Sequence, residues 1–267
     1  MSTDRHVSRE RIVVVGNGMV GHRLCEELAK RDATDRFEIT VIGEEPRAAY
    51  DRVGLSQLFA GKTAADLALT NPDGYAEHGI TLCLERAVTA IDRDARRVAC
   101  SDGSELAYDH LVLATGSAPF VPPLPGADLP GVFVYRTIED LEAISEWAAG
   151  RQRAAVIGGG LLGLEAAKAA RDMGLETHVF EMADRLMARQ LDAGAGRMLR
   201  EEIEALGVHV HVGAATRAMT GGDAVEALAY DDTELPVDLV IVSAGIKPRD
   251  ELARDCGLEV GERGGIA

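Results

Sequence analysis

No two cysteines of this 267-residue sequence form a close pair: Cys25, Cys83, Cys100 and Cys256 are scattered, with no C-x-x-C among them. That absence argues against a disulfide framework and against a cysteine zinc site. It also excludes disulfide-relay chemistry, which needs two adjacent thiols. Long apolar runs are missing as well. No stretch approaches the roughly 20 apolar residues of a membrane span, and the start, MSTDRHVSRERIVVVG, has no signal-peptide-length run before its first apolar strand. A cytoplasmic protein without a membrane partner is the expectation. Positive charge is scarce, and a formal net charge of −16 makes the protein repulsive to nucleic acid. Small anions can still bind at local positive sites. Lysine is rarer still, only Lys30, Lys62, Lys168 and Lys247 among the basic residues; we read this as genomic bias, not mechanism.

What is present supports a folded core. The chain is long enough for one large domain or two ordinary ones, and 46% of it is hydrophobic. IVVVGNGMVGHRLCEELAKR, residues 12–31, reads as strand, glycine turn and amphipathic helix, with Val20, Leu24 and Leu28 as the stripe laid on the sheet. Gly16 permits the tight exit from the strand, Gly18 lets the backbone approach a pyrophosphate, and Gly21 lets the helix pack on the sheet. Exposed N–H groups and the positive end of the helix dipole then face the phosphates. One G-x-G-x-x-G is weak evidence, since such turns also arise for packing alone. Here the pattern recurs: residues 154–181 repeat strand, turn and helix with Gly158, Gly160 and Gly163, then a further strand.

Each following strand ends on an acid suited to ribose hydroxyls: Glu44 after FEITVIG, and Glu181 after ETHVF. A carboxylate at Glu181 accepts hydrogen bonds from a 2′-OH and repels a 2′-phosphate, with only Arg185 nearby to offset it, so NADH is favoured over NADPH. Two dinucleotide sites in one chain suggest electron transfer from nicotinamide to flavin.

Between the repeats, the segment from Ile80 to Ala114 reads as a small antiparallel meander followed by a buried strand at Leu111–Ala114. The proline-rich APFVPPLPGADLPG, residues 118–131, is the best linker candidate. AGRMLREEIEALG reads as a helix with Met198, Leu199, Ile203 and Leu206 on one face and the acidic Glu201, Glu202 and Glu204 solvated. VHVHVG, AVEALAYDD and VDLVIVSAG read as strands. His209 and His211 alternate on the first of these and share a face, as metal ligands can, but the sequence offers no third ligand nearby and no metal is expected. Cys25 and Cys256 read as buried small residues.

In order along the chain, VVVGNGMVG, LVLATGSAP, VIGGGLLGLEAA and IVSAGIKPRDELA resemble the signatures of flavoprotein reductases with two dinucleotide-binding domains. That is the pyridine nucleotide-disulfide oxidoreductase superfamily, in its class without a redox disulfide. EEPRAAYDRVGLSQLF, GVFVYRTIEDLEAI, LMARQLDAGAGRMLREEIEALGVHVH and CGLEVGERGGI resemble more narrowly the flavin-containing N-terminal region of assimilatory NAD(P)H nitrite reductase large subunits.

The resemblance implies an α/β fold of two Rossmann-like domains of three-layer ββα type, the NAD domain inserted into the FAD domain. The expected boundaries are 1–118 for the first FAD segment, 119–243 for the NAD(P)H domain, and 244–267 for the start of the return. It implies FAD at Gly16, Gly18, Gly21 and Glu44, with Arg52 near the flavin pyrophosphate or ring and Ala114, Thr115 and Gly116 along the flavin side. It implies NADH at Gly158, Gly160, Leu161, Leu162, Gly163 and Glu181, with Glu165 where nicotinamide meets flavin and Ala244 and Gly245 closing over the nucleotide. No side-chain nucleophile is required.

Relatives that reduce ferredoxin-like partners often carry a lysine after the LS of the flavin loop; here that residue is Gln57. The family pattern continues beyond Ala267 to a second FAD motif, so weak FAD retention by residues 1–267 is the expectation. Iron–sulfur and sirohaem centres belong to downstream domains. The implied partners are NADH and a nitrite-reducing or iron–sulfur acceptor, with a homodimer compatible. The alternatives are a freestanding rubredoxin or ferredoxin reductase and a nucleotide-binding sensor without turnover.

Overall fold

A computed structural model describes residues 9–31 and 33–267. Most of the leader read above for a signal sequence lies outside those residues. The described chain divides into two compact units, one drawn from Met1–Arg52, Ala64–Ser117 and Pro248–Ala267, the other from Val53–Thr63 and Ala118–Lys247. The second is thus inserted, in sequence, into the first.

The first unit is built on a four-stranded parallel sheet in the order Ile80–Cys83, Phe37–Ile42, Glu10–Val15, His110–Leu113. The valine run buries both faces, as a covered parallel strand must. Ile12 and Val14 pack with Cys25, Ile39 and Val41 toward the helix Met19–Ala29. Val13 and Val15 pack with Val98 and Cys100 of the antiparallel meander Val88–Ala107, and with Tyr108 just after it, on the other side. Each fully buried Val or Ile contributes about 1.5–3 kcal/mol. Two expectations need correction. Val20 is 73% exposed, because the helix turns Gly21, Cys25, Leu24 and Leu28 inward. The strand ending at Leu113 is half-buried, because it lies at the sheet edge.

The second unit carries a five-stranded parallel sheet in the order Val208–Val212, Glu176–Glu181, Arg153–Ile157, Leu239–Val242, Val132–Val134. One face is packed by the helix Leu161–Asp172, whose buried Ala166, Ala167, Ala169 and Ala170 permit close approach. Phe180, Ile157, Val240 and Val242 of the other face pack with Met219 and Leu228 of an antiparallel three-stranded sheet, Thr216–Pro236. Sheet between helix and small antiparallel layer is the same three-layer plan as in the first unit.

The proline-rich stretch is packed rather than free: Met219 and Val225 donate backbone hydrogen bonds to Pro125 and Pro130, each at 2.9 Å. On the helix Ala193–Ala205, capped by Asp192, Met198 is 68% and Leu206 56% exposed. Gly196, Leu199 and Ile203 form its inward stripe; Met198 lies on the opposite side and Leu206 is the C-cap residue just past its end. Among the described residues no helix is long and apolar enough to cross a membrane.

Candidate functional site: two glycine turns

The two glycine turns superpose in their constraints. Gly16 has φ +111° and Gly158 φ +118°, and a methyl group built on them would stand 2.2 Å from Ala114 O and 2.3 Å from Ser243 O. At Gly21 and Gly163 it would stand 2.0 Å from Gly16 O and 1.9 Å from Gly158 O. These four glycines are dictated by packing and backbone angle. Gly18 and Gly160 are different. Both have extended backbone, φ −85° and −82°, and no atom lies within 4 Å of an added Cβ. The fold does not require glycine there. Each is the N-cap of its helix without a side-chain cap, so N–H groups of the first turn remain available to an anion. An open cradle that a methyl group would fill fits a pyrophosphate at both turns.

In the first unit, Ala114 continues the sheet through its N–H to Val15 O at 2.8 Å, and Thr115 Oγ1 donates to Arg249 O at 2.5 Å. Val20, Ala114, Thr115, Gly116 and Arg249 line one cavity of about 250 Å³. Arg249 forms a bidentate ion pair with Glu44, one arm at 2.7 Å, which holds the Glu44 carboxyl below its usual range. Glu44 lies one residue beyond Gly43, the position in register with Glu181 of the other turn. Arg52 pairs with Glu45 and lies 5.0 Å over the Tyr50 ring, while the Tyr50 hydroxyl donates to Glu45 at 2.6 Å.

In the second unit, Glu181 is held by two backbone donors, Gly159 N–H and Ala183 N–H, each at 2.8 Å. A carboxylate has about four acceptor positions, so sites remain for ribose hydroxyls. Arg185 is committed locally, to Leu191 O at 3.0 Å and Asp184 at 2.6 Å. Leu161 and Leu162, which open the helix after the turn, and Met182, just past the strand Glu176–Glu181, are exposed apolar residues beside it. Ala244 follows Ser243 against Gly158, and Gly245 adopts φ +120°. Glu165 is half-buried, and burial raises its carboxyl. The neighbouring Tyr135 hydroxyl is pushed up by burial and by Glu165, and it has no hydrogen-bond partner. The unpartnered hydroxyl leaves one donor for a ligand in this unit.

The profile of the pyridine nucleotide-disulphide oxidoreductase family matches residues 10–267. The chain belongs to this family. Membership in this family implies sites for FAD and NAD(P)H. The chain is 52% identical over 256 residues to the nitrite reductase [NAD(P)H] large subunit of Klebsiella oxytoca, covering 96% of this chain and 27% of that protein. It is 48% identical over 264 residues to the nitrite reductase (NADH) large subunit of Escherichia coli K12, covering 97% and 31%. It therefore spans less than a third of either relative. Among solved structures, putidaredoxin reductase in covalent complex with putidaredoxin is similar, with a TM-score of 0.87, 32% identity, and 94% and 62% coverage.

Sequence reasoning missed one cluster in this unit. His178 and Glu176 join His209 and His211, correcting the expectation that no third candidate ligand stands nearby. Burial keeps the His178 and His211 imidazoles below the usual histidine range, while Arg153 and then His178 hold Glu176 down at about 2. The signal was the parallel alignment of ETHVF with VHVHV, which sequence spacing alone does not reveal.

Proposed function

We propose that this chain is the NADH-to-flavin module of a nitrite reductase, with FAD on the Gly16–Gly21 turn and NADH on the Gly158–Gly163 turn. The observation that carries the reading is the pair Gly18 and Gly160: glycines with no intramolecular need for glycine, both at open helix N-termini. Bound flavin would supply hydride acceptance from NADH and stepwise release of electrons. The chain's own work is binding and orientation. Backbone N–H groups at the two turns take the pyrophosphates. The Glu181 carboxylate, fixed by Gly159 and Ala183, accepts from ribose hydroxyls and disfavours a 2′-phosphate, while Arg185 is already engaged. Thr115, Gly116 and Arg249 line the flavin side of the first turn. Leu161, Leu162, Glu165, Ala244 and Gly245 are assigned to the nicotinamide nucleotide, and Arg52 to the flavin side.

The terminal acceptors in this reading are iron–sulfur and sirohaem centres that reduce nitrite to ammonium. Identity of 52% and 48% to nitrite reductase large subunits supports this over a freestanding ferredoxin reductase, for which the chlorobenzene dioxygenase component of Cupriavidus sp. is 36% identical. The test is NADH oxidation by the complete flavin-loaded protein that carries this segment. Oxidation with ferricyanide and with nitrite supports the reading. Oxidation that nitrite never stimulates, with a reduced ferredoxin as product, points to the alternative, and no turnover with any acceptor to a sensor.

A further inference from the structure

The strands Glu176–Glu181 and Val208–Val212 run parallel with His178 opposite His209 and Phe180 opposite His211. Side chains two apart share a face, so Glu176, His178, His209 and His211 stand together on one side of the sheet. His178 Nε2 is 3.0 Å from Glu176 Oε1, and His178 Nδ1 is 3.0 Å from His211 Nε2. One ligand atom each from Glu176, His178 and His209 falls within a common 4.8 Å. From this geometry we propose a divalent transition-metal site of the Zn²⁺ class, ligated by Glu176, His178 and His209.

Two imidazole nitrogens and one carboxylate oxygen are ligands that zinc takes at about 2.0–2.2 Å, with water in a fourth position. Hard ions such as Mg²⁺ and Ca²⁺ prefer all-oxygen sets and are disfavoured here. The outer partners of a metal site are also in place. With Nε2 of His178 on the metal, its Nδ1–H donates to His211, which fixes tautomer and ring orientation. The second oxygen of Glu176 is held by Arg153 Nη2 at 2.8 Å. His178 is 6% exposed and anchored, whereas His209 is exposed and stacks over it with ring centroids 4.4 Å apart. Metal binding requires the exposed His209 ring to turn out of this stack toward the Glu176–His178 pair. Glu176 and Glu181 are at opposite ends of one strand, about 17 Å apart at 3.3–3.4 Å per residue. Occupancy therefore leaves the nucleotide turn unobstructed, and His211 acts as a positioning residue.

The experiment titrates the EDTA-treated 267-residue chain with ZnCl₂ by calorimetry and, in parallel, with CoCl₂ by visible absorption. The expected result is one Zn²⁺ per chain with micromolar or tighter affinity and a Co²⁺ band typical of low coordination number. His209→Ala, at an exposed position, abolishes the band and weakens Zn²⁺ about a hundredfold or more, and Glu176→Gln does likewise. His211→Ala weakens it about ten- to hundredfold, as loss of an outer partner does. His110→Ala, which removes the exposed histidine paired with Glu10 at 2.9 Å, changes nothing. Absence of stoichiometric Zn²⁺, or equal binding by the wild type and His209→Ala, overturns the proposal. NADH affinity is unchanged in His209→Ala, so failure here is distinguishable from failure of the nucleotide assignment.

Discussion

Alanine at Gly160 and alanine at Gly163 are the same chemical change three residues apart, and they are expected to fail in opposite ways. At Gly160 the backbone is extended, φ −82° and ψ −177°, and an added methyl meets nothing within 4 Å. Any residue adopts that conformation, so the change in folding stability stays within about 0.5 kcal/mol. The methyl does, however, fill the space in which a pyrophosphate would approach the first-turn N–H groups. Losing one charge-assisted hydrogen bond costs about 1.5–3 kcal/mol, which is roughly ten- to hundredfold in NADH affinity. At Gly163 the methyl would stand 1.9 Å from Gly158 O. Relief requires the helix and strand to separate by about an ångström, a destabilisation of about 3 kcal/mol. The assays are urea unfolding followed by circular dichroism and NADH titration by calorimetry. Undiminished NADH binding by Gly160→Ala, or undiminished stability of Gly163→Ala, refutes the division of labour among these glycines.

Other consequences follow from the same geometry. Burial raises the Glu165 carboxyl, so its charged form destabilises the fold above the unfolded carboxylate pKa and has no such effect below it. Glu165→Gln should therefore raise the melting temperature at pH 8 and leave it unchanged near pH 4. Thr137 and Asp140 form a reciprocal capping box on the helix Ile138–Ala148, and Thr137→Ala should cost about 1 kcal/mol in urea unfolding. Glu181→Gln can no longer repel a 2′-phosphate and accepts through one oxygen only. It should weaken NADH and narrow the preference over NADPH, measured by parallel titrations.

The turns were legible because their constraints are local: spacing, backbone angle and the N–H groups of one helix end all lie within six residues. The same holds for the buried runs Ile12–Val15 and Leu239–Val242, where composition alone places a covered parallel strand. Contacts set by register or by distant segments were not legible. Glu44 is paired with Arg249, 205 residues away, and spacing could not say that the ribose candidate would find a cation there. The register aligning His178 with His209 is set by the sheet, not by either segment. Helical periodicity placed Leu199 and Ile203 inward but also nominated Met198, which a heptad-like reading cannot separate without knowing the helix's rotation on the sheet. Cys25 is buried, its thiol pushed up to about 11, as its apolar setting suggested, whereas Cys256 is only half-buried.

The central claim is that one chain holds two distinct dinucleotides, and counting them tests it most directly. Equilibrium dialysis of the 267-residue chain against FAD and, separately, against NADH should give one of each per chain. Gly18→Ala should weaken FAD about ten- to hundredfold and leave NADH affinity unchanged, and Gly160→Ala should do the reverse. A chain that binds only one dinucleotide under saturating conditions, or whose two variants weaken the same ligand, would contradict the account.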